Sequence, residues 1–319
     1  MLTTIKRTTF KLKRFIAKRR TPPTDSFQFP SEFDPNIYKK LYRDVIQYNP
    51  KDLYTHYTKH GIREGRRVNG LKTRLDFIDL IPKDKKILEI GPLCNPLVSG
   101  KNVFYFDIQN KEDLMLKAKS FNLPAENVPY IHFVSPTGNL EIVNECFDVV
   151  LSSHCIEHQP NLITHLSHIE RILNPGGYYF VLAPDKRYCF DHFIPESSLA
   201  QVLETQIENK GFHSLRTFLE GGCLTTHNEP LRHWKGDHGD PFLVIKENIE
   251  KTLKRYNESL AFKKEYVDLH TWYFTPFSFK NILYGLNAAS YIQLTLERIY
   301  PTLYGANEFW AILKKLLKN

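Results

Sequence analysis

From residue 71 onward the apolar residues fall into short runs, each closed by an acid, a glycine or a proline. That pattern predicts strands near 86–90, 103–107, 129–133, 147–151, 177–183, 292–298 and 307–313. After the fourth strand, Leu162, Leu166, Ile169 and Leu173 keep one apolar stripe at helical spacing, and Pro175-Gly176-Gly177 ends the helix. Strands alternating with helices predict an α/β fold on a mostly parallel sheet. The last two strands lie only about nine residues apart, which suits an antiparallel hairpin at the sheet's end. The stretch 184–275 is too long for a plain strand-to-helix connection, so it is expected to form an inserted lid subdomain above the carboxyl ends of the strands.

The pattern changes upstream. Asp34 can cap a helix that has Pro35 at its first position. Tyr38, Leu41, Tyr42 and Val45 recur at helical spacing, as do Leu53, His56, Tyr57 and His60. Residues 31–70 therefore predict a small helical hairpin, either a separate module or a cap on the main domain of 71–319. Residues 1–30 are expected to be a tail and linker. Eight basic residues and no acid fall within 1–20, interrupted by Phe10, Leu12, Phe15 and Ile16. Three readings stay open for this tail: a helix lying on an anionic membrane surface, a solvated disordered segment, or a targeting peptide.

The tail accounts for the whole net charge of +8, so the remainder is electrically balanced and offers no basic groove for nucleic acid. No apolar run is long enough to cross a membrane. Five cysteines without a C-x-x-C spacing fit free thiols in a reducing compartment, so a cytoplasmic protein, in peripheral contact with the membrane if the tail binds it, is expected.

Candidate chemistry gathers at the strand ends. Lys86-Ile87-Leu88-Glu89-Ile90-Gly91-Pro92-Leu93 is a strand closing in an acid and a glycine, and Val103-Phe104-Tyr105-Phe106-Asp107 ends in a second acid. A glycine there lets backbone approach a ligand, and an acid at the second strand end can accept both ribose hydroxyls. Phe147-Asp148-Val149-Val150-Leu151-Ser152-Ser153-His154-Cys155-Ile156-Glu157-His158 and the Leu173-Asn174-Pro175-Gly176-Gly177 turn follow. In this order and spacing the four segments resemble class I S-adenosylmethionine-dependent methyltransferases over roughly 71–185. Leu93 and Asn95 stand where that family usually has further glycines. A dinucleotide fingerprint needs those glycines around a pyrophosphate, which S-adenosylmethionine lacks.

The resemblance implies a Rossmann-like seven-stranded sheet with an antiparallel last strand and S-adenosylmethionine as cofactor. It places Asp107 at the ribose, Glu89 on the Gly91 loop and the ligand's amino group, Gly91, Pro92 and Leu93 along the methionine moiety, and Ser152, Ser153 and His154 at the sulfonium. The adenine contact stays open, because Phe133-Val134-Ser135-Pro136 lacks the acid often found there.

Methyl transfer to a hydroxyl needs alignment and a proton acceptor, a role histidine suits near neutral pH. His154 and the lid residues His233 and His238 are the candidates; Asp185, Arg187 and His270 are candidate substrate-binding residues. Histidines and aspartates in the His233-Trp234-Lys235-Gly236-Asp237-His238-Gly239-Asp240 string and near His270 have the chemistry to hold a divalent metal. No fixed structural-zinc spacing occurs, so no metal is assigned. The lid is similar to one branch of bacterial methyltransferases that carries the same P-D-K-R-Y and H-W-x-G-D-H strings, and this names no substrate. The 33–67 segment is similar to a short module found beside glycosyltransferases and glycan-assembly proteins. It implies O-methylation of a sugar or glycan intermediate in surface polysaccharide biosynthesis, with a small-molecule or glycan acceptor as partner. Methylation of another small metabolite, or a non-catalytic scaffold retaining the fold, stays open.

Overall fold

A computed structural model describes residues 27–208, 212–261 and 267–317. The basic tail and its three readings lie outside the described residues. The strands are β1 (Ile87–Ile90), β2 (Val103–Asp107), β3 (Phe133–Val134), β4 (Phe147–Ser153), β5 (Leu173–Pro184), β6 (Leu294–Tyr300) and β7 (Glu308–Lys315). They form one sheet in the order β3-β2-β1-β4-β5-β7-β6, with β7 antiparallel to both of its neighbours and the other pairs parallel. This is the Rossmann-like mixed sheet expected from the sequence.

The central strands are apolar almost throughout because helices cover both faces of the sheet. All four residues of β1 are buried. On one face, helices Leu162–Ile172 and Pro276–Ala288 supply Leu166, Ile169, Phe279 and Ile282 to the larger core cluster. On the other, Phe77 of helix Arg74–Ile78 stacks on Trp310 at a ring separation of 5.4 Å. The third strand is shorter and later than the expected 129–133. Pro129 has no N–H to give a ladder, Pro136 follows, and only Phe133 and Val134 pair with β2.

Residues 27–32 form a strap on the sheet. Phe27 and Phe29 pack on Tyr178, the Glu32 carboxylate accepts the Ile299 N–H at 2.7 Å, and Tyr300 Oη donates to the Pro30 carbonyl at 2.8 Å. The helical segment follows. Asp34 caps Pro35–Leu41 through the N–H groups of Asn36 and Ile37, and a small core forms from Tyr38, Val45, Leu53, Tyr57 and Val68. Gly65 is left-handed, with φ of +61°, and a β-carbon there would meet Tyr304 at 2.8 Å and Trp234 at 3.0 Å. Only glycine permits this close approach between the small core, the lid and the β6–β7 turn.

Between β5 and helix Pro276–Ala288 the chain forms helices Leu199–Ile207, Leu215–Cys223, Pro230–Trp234 and Ile245–Ala261. The return leg is fastened to the turn after β4. The N–H groups of Thr271 and Trp272 donate to the Glu157 carbonyl at 2.7 and 3.1 Å, and the buried Trp272 indole donates to the Gln159 carbonyl at 2.7 Å. Among the described residues no helix is long and apolar enough to cross a membrane.

Candidate functional site

The chain turns sharply at Gly91, where φ is +69° and a β-carbon would meet Cys155 Sγ at 2.6 Å. Leu93 is also left-handed, with φ of +46°, although it has a side chain. That conformation costs an ordinary residue about 1–2 kcal/mol. The expected second glycine has gone while the glycine-type backbone remains. Leu93 also donates its N–H toward the Asp107 carboxylate, which accepts further N–H groups from Ile108, at 2.7 Å, and Gln109. Burial raises the Asp107 carboxyl above its usual range, and these donors partly offset that.

Gly91, Leu93, Asp107, Thr137, His154 and Asp268 line a cleft with about 840 Å³ of open volume. A close-approach glycine at one strand end and an anchored carboxylate at the next fit the ribose and methionine halves of S-adenosylmethionine. Thr137 and the left-handed Gly138 border the far end, beyond the segment that lacked an acid.

Glu89 braces the loop beside this cleft. Its carboxylate accepts the N–H groups of Leu97 and Val98 at 2.8 and 3.2 Å, and burial pushes its pKa up to about 7. Pro92 lines an adjoining cleft with Arg74, Ser153, His154 and Glu308. The expected pair Ser152 and Ser153 is split, because neighbours on a strand face opposite ways. Ser153 Oγ accepts from Arg74 in the cleft, whereas Ser152 is fully buried and its Oγ lies 2.6 Å from Tyr179 Oη in the core.

His154 stands where the two clefts meet. Its φ is +52°, its N–H donates to the Leu182 carbonyl, and its Nε2 lies 2.9 Å from Glu308 Oε2. Arg74 and the Trp310 indole hold the Glu308 carboxylate at distances of 2.9–3.1 Å. Burial pushes the Glu308 carboxyl up, but the contacts from His154 and Arg74 outweigh it and the pKa is lowered. Sequence reading found neither Arg74 nor Glu308. One signal was present: Thr73 and Asp76 form a capping box that starts Arg74's helix.

A third cleft lies under the lid, lined by His158, Phe190, Asp191, Asn228, Arg255 and His270, among others, with about 870 Å³ of open volume. It shares His158 and Asp268 with the cofactor cleft. His270 Nδ1 lies 2.7 Å from Asp191 Oδ2. Burial alone would lower the His270 pKa, but the carboxylates of Asp191, Glu157 and Asp268 raise it overall.

The other expected residues stand apart. His233 Nε2 donates to the His227 carbonyl at 3.0 Å, its Nδ1 lies 3.1 Å from His238 Nδ1, and His238 stacks on His192 at 3.7 Å. Burial lowers the pKa of all three imidazoles, and none lines the clefts described above. Asp185 is fully buried and accepts from Arg187 Nε at 2.8 Å and Thr302 Oγ1 at 2.6 Å. The Arg187 guanidinium is thus engaged by Asp185, while about a third of its side chain stays exposed.

Residues 90–181 match the family model described as a methyltransferase domain. No curated protein matches the chain. Solved structures with similarity include the mitomycin 7-O-methyltransferase MmcR, at 11% identity and a TM-score of 0.36, where 86% of this chain and 60% of that one are covered. Another is an S-adenosylmethionine-dependent methyltransferase from Methanosarcina mazei, at 13% identity, 78% and 100% coverage and a TM-score of 0.37. A third, from Rhodobacter sphaeroides, is described as a putative zinc-dependent alcohol dehydrogenase, at 15% identity, 77% and 91% coverage and a TM-score of 0.41. At these scores the structural likenesses carry no argument about activity. The matched family stretch contains Gly91, Asp107 and His154. That stretch is similar to a methyltransferase domain, which implies S-adenosylmethionine as the methyl donor.

Proposed function

We propose that the chain methylates a hydroxyl oxygen of a sugar or glycan intermediate. The observation that carries this reading is the wall shared by two clefts. His158 and Asp268 line both the cleft that holds Asp107 and the cleft beneath the lid, so donor and acceptor sites adjoin there. When bound, S-adenosylmethionine supplies a methyl group on a sulfonium. The residues of this chain do the rest. Asp107 anchors the ribose, the Gly91 turn admits backbone to the methionine half, and Arg74 and Ser153 border that half.

The lid cleft suits a polyol. Asp191, Thr225, Thr226, Asn228 and Arg255 offer donors and acceptors to hydroxyls, and the Phe190 ring offers a flat face to the C–H side of a sugar. His154 is the proton acceptor in this scheme. Glu308 holds its Nε2, and its Nδ1 is turned toward Glu157 at the shared wall, 3.9 Å away. His154 Nδ1 would take the proton of the acceptor hydroxyl as that oxygen received the methyl group of the bound cofactor. The helical segment at 31–70, similar to modules beside glycan-assembly enzymes, is the support for surface polysaccharide as the setting.

The test is release of S-adenosylhomocysteine from the full chain with panels of sugar nucleotides, oligosaccharides and non-sugar phenols. Turnover confined to the sugar panels supports the reading. Turnover confined to the phenols overturns its acceptor half, and cofactor binding without turnover on any panel leaves a scaffold.

A further inference from the structure

We propose that Glu157, His158 and His270 bind one divalent first-row transition cation in the wall between the cofactor cleft and the lid cleft. Glu157 is fully buried, and neither of its carboxylate oxygens has a hydrogen-bond partner. An unpartnered buried carboxylate is strongly unfavourable unless something positive meets it. Among the described residues no Lys or Arg forms an ion pair with Glu157 or with the nearby Asp191.

Imidazoles face it instead. His158 Nε2 and His270 Nε2 lie 3.7 and 3.9 Å from Glu157 Oε1, too far for hydrogen bonds. The donor atoms of the three residues all lie within 4.8 Å of one another. A tetrahedral ion with bonds of about 2.1 Å spaces its ligands about 3.4 Å apart, so small side-chain rotations bring these donors onto one ion.

The surroundings are built for that role. His270 Nδ1 is held by Asp191 Oδ2 at 2.7 Å, and His158 Nδ1 lies 3.1 Å from Asp268 Oδ1. The Asp191 bond keeps the proton on His270 Nδ1 and turns its Nε2 lone pair toward Glu157, the usual outer support of a metal-bound histidine, while the Asp268 carboxylate stands beside His158 Nδ1 without a formed hydrogen bond. The two rings meet edge to face at 4.5 Å. The backbone fixes the third dimension, since the Thr271 and Trp272 N–H groups tie the segment after His270 to the Glu157 carbonyl. Two imidazoles and one carboxylate favour manganese, cobalt or zinc over magnesium or calcium. The second candidate trio, His192, His233 and His238, has no carboxylate among its donors.

The ion would hold an acceptor oxygen beside the methyl group and acidify its hydroxyl. That role rests on the methyl-transfer reading; the binding site itself does not. The test is calorimetry of the full chain, stripped with chelator and titrated with manganese chloride or zinc chloride alone. One equivalent per chain is expected. Glu157→Gln and His270→Asn should each weaken binding at least about tenfold, as should Asp268→Asn, which removes the negative charge beside His158 at the surface and leaves the buried residues intact. His233→Asn should not weaken it. Absence of stoichiometric binding in the full chain overturns the proposal. So does binding unchanged in both Glu157→Gln and Asp268→Asn, or binding lost in His233→Asn alone. A parallel titration with S-adenosylmethionine separates the two readings, because cofactor binding without metal binding overturns only this one.

Discussion

Two clusters of histidines among the described residues are built differently. In the lid, His192, His233 and His238 stack on one another, and two of them are held by backbone carbonyls, those of Arg187 and His227. Around the wall between the cofactor and lid clefts, His154, His158 and His270 do not stack as a group. Each has a carboxylate at one nitrogen — Glu308, Asp268 and Asp191 respectively — and the buried Glu157 near the other. A ring held by a carbonyl and packed on other rings is a packing element with its proton position fixed. A ring backed by a carboxylate and open toward a cleft can receive a proton or a cation. The density of histidines along the chain does not separate the two cases; their partners do.

The largest expected effect breaks the comparison outright if it fails. His154→Ala should lower turnover at least about a hundredfold while cofactor affinity changes by less than about threefold, because a general base typically contributes 10²–10⁴-fold. His233→Ala and His238→Ala should leave turnover within about threefold by the same measure. A hundredfold loss from either lid variant, with His154→Ala active, would return the chemistry to the lid.

Next in size is Gly91→Ala. Its added methyl meets Cys155 Sγ in a left-handed turn, so S-adenosylmethionine affinity should fall at least about tenfold by calorimetry. Retained affinity would mean that the turn does not shape the cofactor site.

The smallest effect sharpens the contrast through pH. Burial lowers the folded-state pKa of His192, His233 and His238 below the unfolded value of about 6.5. Their contribution to stability is therefore complete above that value and is lost as pH falls through it, since the unfolded chain then binds protons more readily. Histidine-resolved NMR should show all three titrating below free histidine, and the melting temperature should fall between pH 7 and pH 5. Normal titration midpoints would remove the packed, neutral character assigned to the lid cluster.

Much of this architecture was legible in the chain because the sheet is buried on both faces. Apolar runs such as Val149-Val150-Leu151 mark strands wherever helices cover both sides, and strand ends mark ligand positions, as at Gly91 and Asp107. Legibility failed where pairing is distant. Arg74 and Glu308 are 234 positions apart, and nothing local announces their ion pair. His270 stood out in the sequence as a candidate ligand residue, but its partners Asp191 and Glu157 did not, because only the return leg brings them together. Ser152 and Ser153 were read as a unit because they adjoin, yet strand alternation sends one into the core. Arg187 looked free because its partner Asp185 lies two residues away on a turn that folds the guanidinium back.

The central claim is that the cleft between Gly91 and Asp107 holds S-adenosylmethionine. Titration calorimetry on the full chain and on Asp107→Ala tests it most directly. The account predicts one cofactor per chain and an affinity at least about tenfold weaker in the variant, since charge-assisted bonds to the ribose are worth about 1.5–3 kcal/mol. The melting temperature without cofactor should not fall by more than a few degrees. Equal affinity in the two proteins, or no binding by the full chain, would contradict it.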